Sequence, residues 1–185
     1  MTLNLKYCAL LFGSAVCSAV ASSQAQSVEL SFGATNGRGG TYVNRSGVAA
    51  AVFVERTLVH RRYFEVFAGT TGFLENRGSG DLVCLLQADL SCAPNEPDLF
   101  AVSGALGARV RTRFLSLNGR IGPSLYSTVQ HVENNSGVGL ASSLSLGVSI
   151  SRRIAVVASR EEHVVSWANT KVRITGRLLG VRIAW

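Results

Sequence analysis

The stretch Lys171-Val-Arg-Ile-Thr-Gly-Arg-Leu-Leu-Gly-Val-Arg-Ile-Ala-Trp185 decides the reading of this chain. Stepping by twos from Trp185 gives Ile183, Val181 and Leu179. The other parity gives Ala184, Arg182, Gly180 and Leu178. A period of two with unlike faces is the mark of a β-strand. An apolar row ending in an aromatic residue fits a strand with one face in lipid and its aromatic at the membrane interface.

Working upstream, the same alternation returns at regular spacing. It predicts strands over 154–165, 138–150, 114–129, 99–110, 63–74, 48–58 and 27–34, eight with the last. Residues 114–129 and 138–150 alternate most cleanly. Leu115, Leu117, Ile121 and Leu125 oppose Ser116, Asn118, Arg120, Ser124 and Tyr126. Leu140, Leu144, Leu146 and Val148 oppose Ala141, Ser143, Ser145 and Gly147. Pro123 falls on the apolar parity and predicts a bulge or a local break. The segment 154–165 is hardest to read, because charges sit on both parities. Tight turns are expected at 59–62, 111–113 and 151–153. Loops are expected at 35–47, 75–98 and 130–137, with a short one at 167–170. Short turns at one end and longer loops at the other describe an all-β, eight-stranded antiparallel up-and-down transmembrane barrel. An even strand number places both termini on the periplasmic side.

The 185-residue length suits one such domain. Residues 1–25 read as a signal peptide, an apolar run too short to span a membrane and closed by an Ala-x-Ala site at Ala19–Ala21, with Ser23-Gln24-Ala25 as a second candidate. The barrel domain is then 26–185. The net charge of +7, or +6 without Lys6, comes with no nucleic-acid motif, and an exported chain seldom meets nucleic acid. Cys84 and Cys92, with seven residues between them, are expected to form a disulfide in an exported protein. No metal or cofactor site is expected.

If the polar parity faces inward, the lumen collects Glu29, Glu55 and Glu65 with Arg109, Arg120 and Arg182. Matching depths predict Glu29 beside Arg182, Glu65 beside Arg109, and Glu55 facing Arg120 across the lumen. Buried charges must pair or reach water, and an eight-stranded barrel is just wide enough to be filled by side chains. The expectation is a closed, hydrogen-bonded polar lumen, against a narrow pore as the alternative.

The leader, the eight alternating segments, the terminal aromatic and the inward charges resemble the small eight-stranded outer-membrane barrels, the OmpA transmembrane domain and OmpX among them. That resemblance covers residues 27–185. It implies a non-enzymatic, monomeric barrel with a structural or surface-interaction role, in contact with outer-membrane lipids and lipopolysaccharide. It also implies insertion by the assembly machinery that reads the last strand, here Leu179, Val181, Ile183 and Trp185. A cell-wall-binding domain of the kind OmpA carries is not expected.

Other barrels of this size are lipid A-modifying hydrolases. The candidates here are Glu162, His163 and Ser166, but His163 and Ser166 have opposite parity on a regular strand. An interfacial histidine beside Trp167 is the plainer expectation. His60 and His131 stand in a turn and a loop without visible partners. Gly37-Arg38-Gly39-Gly40 lacks the strand-to-helix context of a phosphate loop. The loop 75–98 carries five acids against Arg77 alone and is the candidate site for an extracellular partner, or for Ca²⁺ bridging to lipopolysaccharide. Arg173 and Arg177 fall on the lipid-facing parity at a height that suits lipid phosphates. Arg61, Arg62, Arg111, Arg113, Arg152 and Arg153 cluster at the turns and suit the phosphates of the opposite leaflet. A soluble, lipocalin-like barrel would require the reverse polarity, with the apolar rows inside.

Overall fold

The structure, a computed structural model, describes residues 27–39, 42–76, 98–129, 134–167 and 170–185. Eight strands follow in chain order: β1 (Ser27–Gly39), β2 (Tyr42–His60), β3 (Phe64–Asn76), β4 (Asp98–Arg111), β5 (Leu115–Val129), β6 (Asn134–Ser149), β7 (Ile154–Trp167) and β8 (Thr170–Ala184). Each pairs antiparallel with the next. β1 also pairs with β8, from Ser27 opposite Ala184 to Arg38 opposite Arg173, so the sheet closes with no free edge.

Closure orders the two parities. Outward go Phe32, Leu106, Leu117, Ile121, Leu125, Leu144 and Leu179, all more than half exposed. Inward go Glu29, Ser31, Glu55, Glu65, Ser103, Ser124 and Ser145, all buried. Polar side chains inside and apolar ones outside is the reverse of a water-soluble barrel, which excludes the lipocalin-like arrangement and makes this a transmembrane barrel. Ile121 lies midway along the outward row of β5. Ile121→Lys should therefore destabilise the barrel by about 2–4 kcal/mol, the cost of a cation near the bilayer midplane, read as a lower urea midpoint in lipid vesicles. Ile121→Leu should leave the midpoint unchanged.

Several local expectations are corrected. Residues 35–39 and 42–47 are strand, not loop. β1 runs on to Gly39 and β2 begins at Tyr42, and one register shift between Asn36 and Arg38 absorbs the irregular Gly/Asn sequence. The ladder satisfies backbone groups that a loop would leave to water. β6 likewise begins at Asn134, before the expected loop ends. The connections on the loop side therefore do not all exceed the turns. Tyr63 is an exposed turn residue under the Arg62 guanidinium, 5.0 Å from its ring centroid, not the first residue of β3. Pro123 marks the expected local break, without a bulge. The β4–β5 ladder lapses between Ser103↔Ser124 and Leu106↔Ile121 while the register holds, and Pro123 stays paired with Leu140 on the other side. At that lapse Gly122 lies against Gly104, and a Cβ on it would meet the Gly104 carbonyl oxygen at 1.7 Å.

A second register shift, between Thr57 and Val59, adds one residue to β2 opposite β3. A bulge of this kind exchanges the faces of every residue beyond it. It brings His60 opposite Glu65, on the inner side of the barrel mouth.

Candidate functional site

The lumen has two halves. In the half nearer the turns, the register sets Glu65, Arg109, Asn118 and Ser145 in one row across β3 to β6. Arg109 donates to Glu55 at 2.5 and 2.8 Å and to Glu65 at 3.0 Å, and its Nε donates to Asn118. Asn118 passes the chain on to Ser145 Oγ at 2.9 Å. Ser27 donates to Glu55 at 2.6 Å. Arg182 donates to Glu29 at 2.6 Å, from the position directly opposite it. Arg111 reaches Glu65 at 3.0 Å, and His60 Nδ1 lies 2.8 Å from the same carboxylate. Each carboxylate thus has a planar guanidinium partner, the geometry in which ion pairs survive desolvation.

Glu55 does not face Arg120, as depth along the strands suggested. The Arg120 guanidinium rests on the Phe53 ring, 4.0 Å from its centroid, and binds Glu161 of β7. Two lumen aromatics fit only because glycines lie beneath them. A Cβ on Gly107 would sit 2.4 Å from Phe67, and one on Gly69 would sit 2.7 Å from Phe53. Phe67 in turn carries Arg109 at 5.0 Å. The space left beside Arg120, Glu161 and Ser143 is about 10 Å³, room for one water at most.

The half nearer the loops is apolar, contrary to a lumen polar throughout. Ala49, Ala51, Phe73, Leu99, Ala101, Tyr126, Val165, Val172, Ile174 and Leu178 form one buried cluster. All lie on the inward parity, which on these strand ends is at least as apolar as the outward one. Glu75, read as a loop acid, is fully buried on β3 and accepts a 2.5 Å hydrogen bond from Thr35. His163 is not interfacial either. It is 1% exposed, lies 4.2 Å from Phe73 between ring centroids, and meets the Tyr126 hydroxyl at 3.3 Å through Nδ1. Its Nε2 stands 3.5 Å from Glu161, so it marks the border between the two halves.

The hydrolase candidates separate. β7 pairs with β6 without a bulge, from Val138↔Ser166 through Ala141↔His163, so His163 points inward while Glu162 and Ser166 face outward. Glu162 is occupied by Arg173 at 3.0 Å. No group of three metal-ligating side chains occurs among the described residues. Cys84, Cys92, His131, the leader and most of the acidic loop lie outside the described residues.

Outside the barrel, Leu179, Val181, Ile183 and Trp185 are exposed, as are Arg173 and Arg177. Arg61, Arg62, Arg113, Arg152 and Arg153 are exposed at the turns, with Arg113 over Phe114 at 5.1 Å. Arg111 departs from that group by turning in to Glu65. Sequence reasoning missed Glu161, Glu75, His60 and Arg160. For Glu161 a signal existed: it shares parity with Val157, Ser159 and His163.

No protein-family model matches the sequence, and no curated protein matches it. Solved structures do. Neisserial surface protein A (NspA) superposes with a TM-score of 0.59 at 11% identity, over 86% of this chain and 96% of that one. Ail, the attachment invasion locus protein of Yersinia pestis, does so with a TM-score of 0.50 at 16% identity, over 85% and 99%. The fold is that of the small eight-stranded outer-membrane barrels. At such identities the likeness is one of architecture, and chemistry must be argued from this chain's own side chains.

Proposed function

We propose that this protein is an integral barrel of a bacterial outer membrane, with a structural or surface-interaction role and no catalytic one. The observation that carries the reading is the reversed polarity of the wall, apolar outside and ion-paired inside. Such a wall is stable only in lipid. The apolar cluster and the near-filled space beside the Arg120–Glu161 pair argue against conduction. The opposite faces of His163 and Ser166 argue against a hydrolase of lipid A. What remains for contact is the rim and the loops, held on a rigid scaffold. The acidic segment 77–97, closed by a Cys84–Cys92 disulfide, is the candidate for an extracellular partner, a role in the same class as the attachment named for Ail. The outward row Leu179, Val181, Ile183 and Trp185 is what the assembly machinery would read during insertion. Both termini then lie in the periplasm.

Membrane fractionation with a heat-modifiability gel tests the placement. The expected result is an outer-membrane band that shifts on boiling, with deletion of 79–95 abolishing partner binding but not the shift. A soluble protein with no shift would overturn the reading.

A further inference from the structure

The register sets Arg160 of β7 directly opposite Arg177 of β8, both exposed on the outer wall. Directly opposed side chains stand with Cβ atoms about 5 Å apart, and like charges there repel. Neighbouring Arg173 is neutralised by Glu162. Arg160 and Arg177 have no carboxylate partner among the described residues. With the Arg173–Glu162 pair, Thr175, Asn36 and Ser46 they line an open groove of about 440 Å³, whose charge stays net positive.

These arginines also notch the apolar belt. Outward apolar residues extend from Leu115 to Leu125 on β5 and from Val138 to Val148 on β6. A span of about ten tilted residues matches the hydrocarbon thickness. On β7 the run from Ile154 stops at Ala158, and on β8 only Leu179, Val181 and Ile183 precede the strand's end. Two unneutralised guanidiniums at the edge of a lipid-facing surface need an anion that arrives with the lipid.

Resting on the transmembrane reading, we propose that this notch binds the phosphorylated sugar headgroup of lipopolysaccharide. A phosphate between Arg160 and Arg177 would turn repulsion into paired charge-assisted hydrogen bonds. Thr175, Asn36 and Ser46 supply the neutral donors and acceptors that sugar hydroxyls require. The groove continues the lipid-facing wall, which favours a lipid occupant over a soluble anion.

The test compares the wild-type protein with the double variant Arg160→Gln/Arg177→Gln, both refolded in phosphatidylcholine vesicles containing lipopolysaccharide or phosphatidylglycerol and in phosphate-free alkyl maltoside micelles. Lipopolysaccharide retained through detergent washing should fall about tenfold in the variant, the scale of losing one set of charge-assisted contacts. Arg152→Gln/Arg153→Gln, altered at a turn, should retain as much as the wild type. In maltoside the double variant should melt at the same temperature or higher, since only repulsion is removed, and in lipopolysaccharide it should melt lower. Undiminished retention by the double variant would overturn the site. Phosphatidylglycerol retained as well as lipopolysaccharide would overturn the glycolipid assignment. A wild-type protein that floats with no vesicle would instead show that the transmembrane reading had failed.

Discussion

Arg109→Ala should destabilise the barrel by about 3–5 kcal/mol, because it leaves buried carboxylates without their cation. The guanidinium serves Glu55 and Glu65 together and reaches Asn118 with its third donor. The two acids will not suffer equally. Both acids line the mouth cavity of about 330 Å³, but Glu65 keeps His60 and Arg111 there. Glu55 keeps only the Ser27 hydroxyl among the contacts described. Most of the loss therefore falls on Glu55, and Arg109→Ala with Glu55→Gln should recover more stability than Arg109→Ala with Glu65→Gln. Arg109→Lys should recover little, since an ammonium on a flexible stem cannot bridge three acceptors in a fork. Urea titration of the barrel in vesicles checks all four. A wild-type midpoint for Arg109→Ala would mean that water already solvates these acids, and the lumen would not be closed at this end.

How much of this was legible in the sequence depended on whether a strand's two parities differ. On β5 and β6 leucine alternates with serine and glycine, so the strands, their faces and Arg120's inward direction all follow from period two. On β7 Arg160, Glu161, Glu162 and His163 put charges on both parities, and the partner of Arg120 stayed hidden among them. His60 was unreadable for another reason. The bulge at Leu58 changes its face, and nothing in the local composition marks a bulge there. Glu75 sits beside a run of acids and glycines that signals a loop, and only the neighbouring ladder carries the strand through it. Pair identities failed where depth was judged along single strands. Strand tilt offsets rows between neighbours, and the aromatic rings of Phe53 and Phe67 divide the space that the offset leaves.

The apolar half of the lumen leads to the second large effect. Phe73 is fully buried, stacks against His163 and belongs to the cluster that fills the loop-side half. Phe73→Ala removes that ring from a wall that cannot collapse, because closure of the sheet fixes the strand positions. The cost should be about 3–5 kcal/mol, the range for truncating a buried aromatic where relaxation is limited. The new space would border polar groups, His163 and Thr71 in the present packing, so it would fill with water where a purely apolar cavity would stay dry. Hydration would join the loop side to the Arg120–Glu161 pair. Wild-type protein in a planar bilayer should then carry no steady current, while Phe73→Ala should show small discrete openings and a lower urea midpoint together. Phe73→Leu, which keeps most of the volume, should lose little stability and stay closed. A steady current through the wild type would place the seal elsewhere. A destabilised but silent Phe73→Ala would mean that the ion-paired half closes the lumen without help from the apolar one.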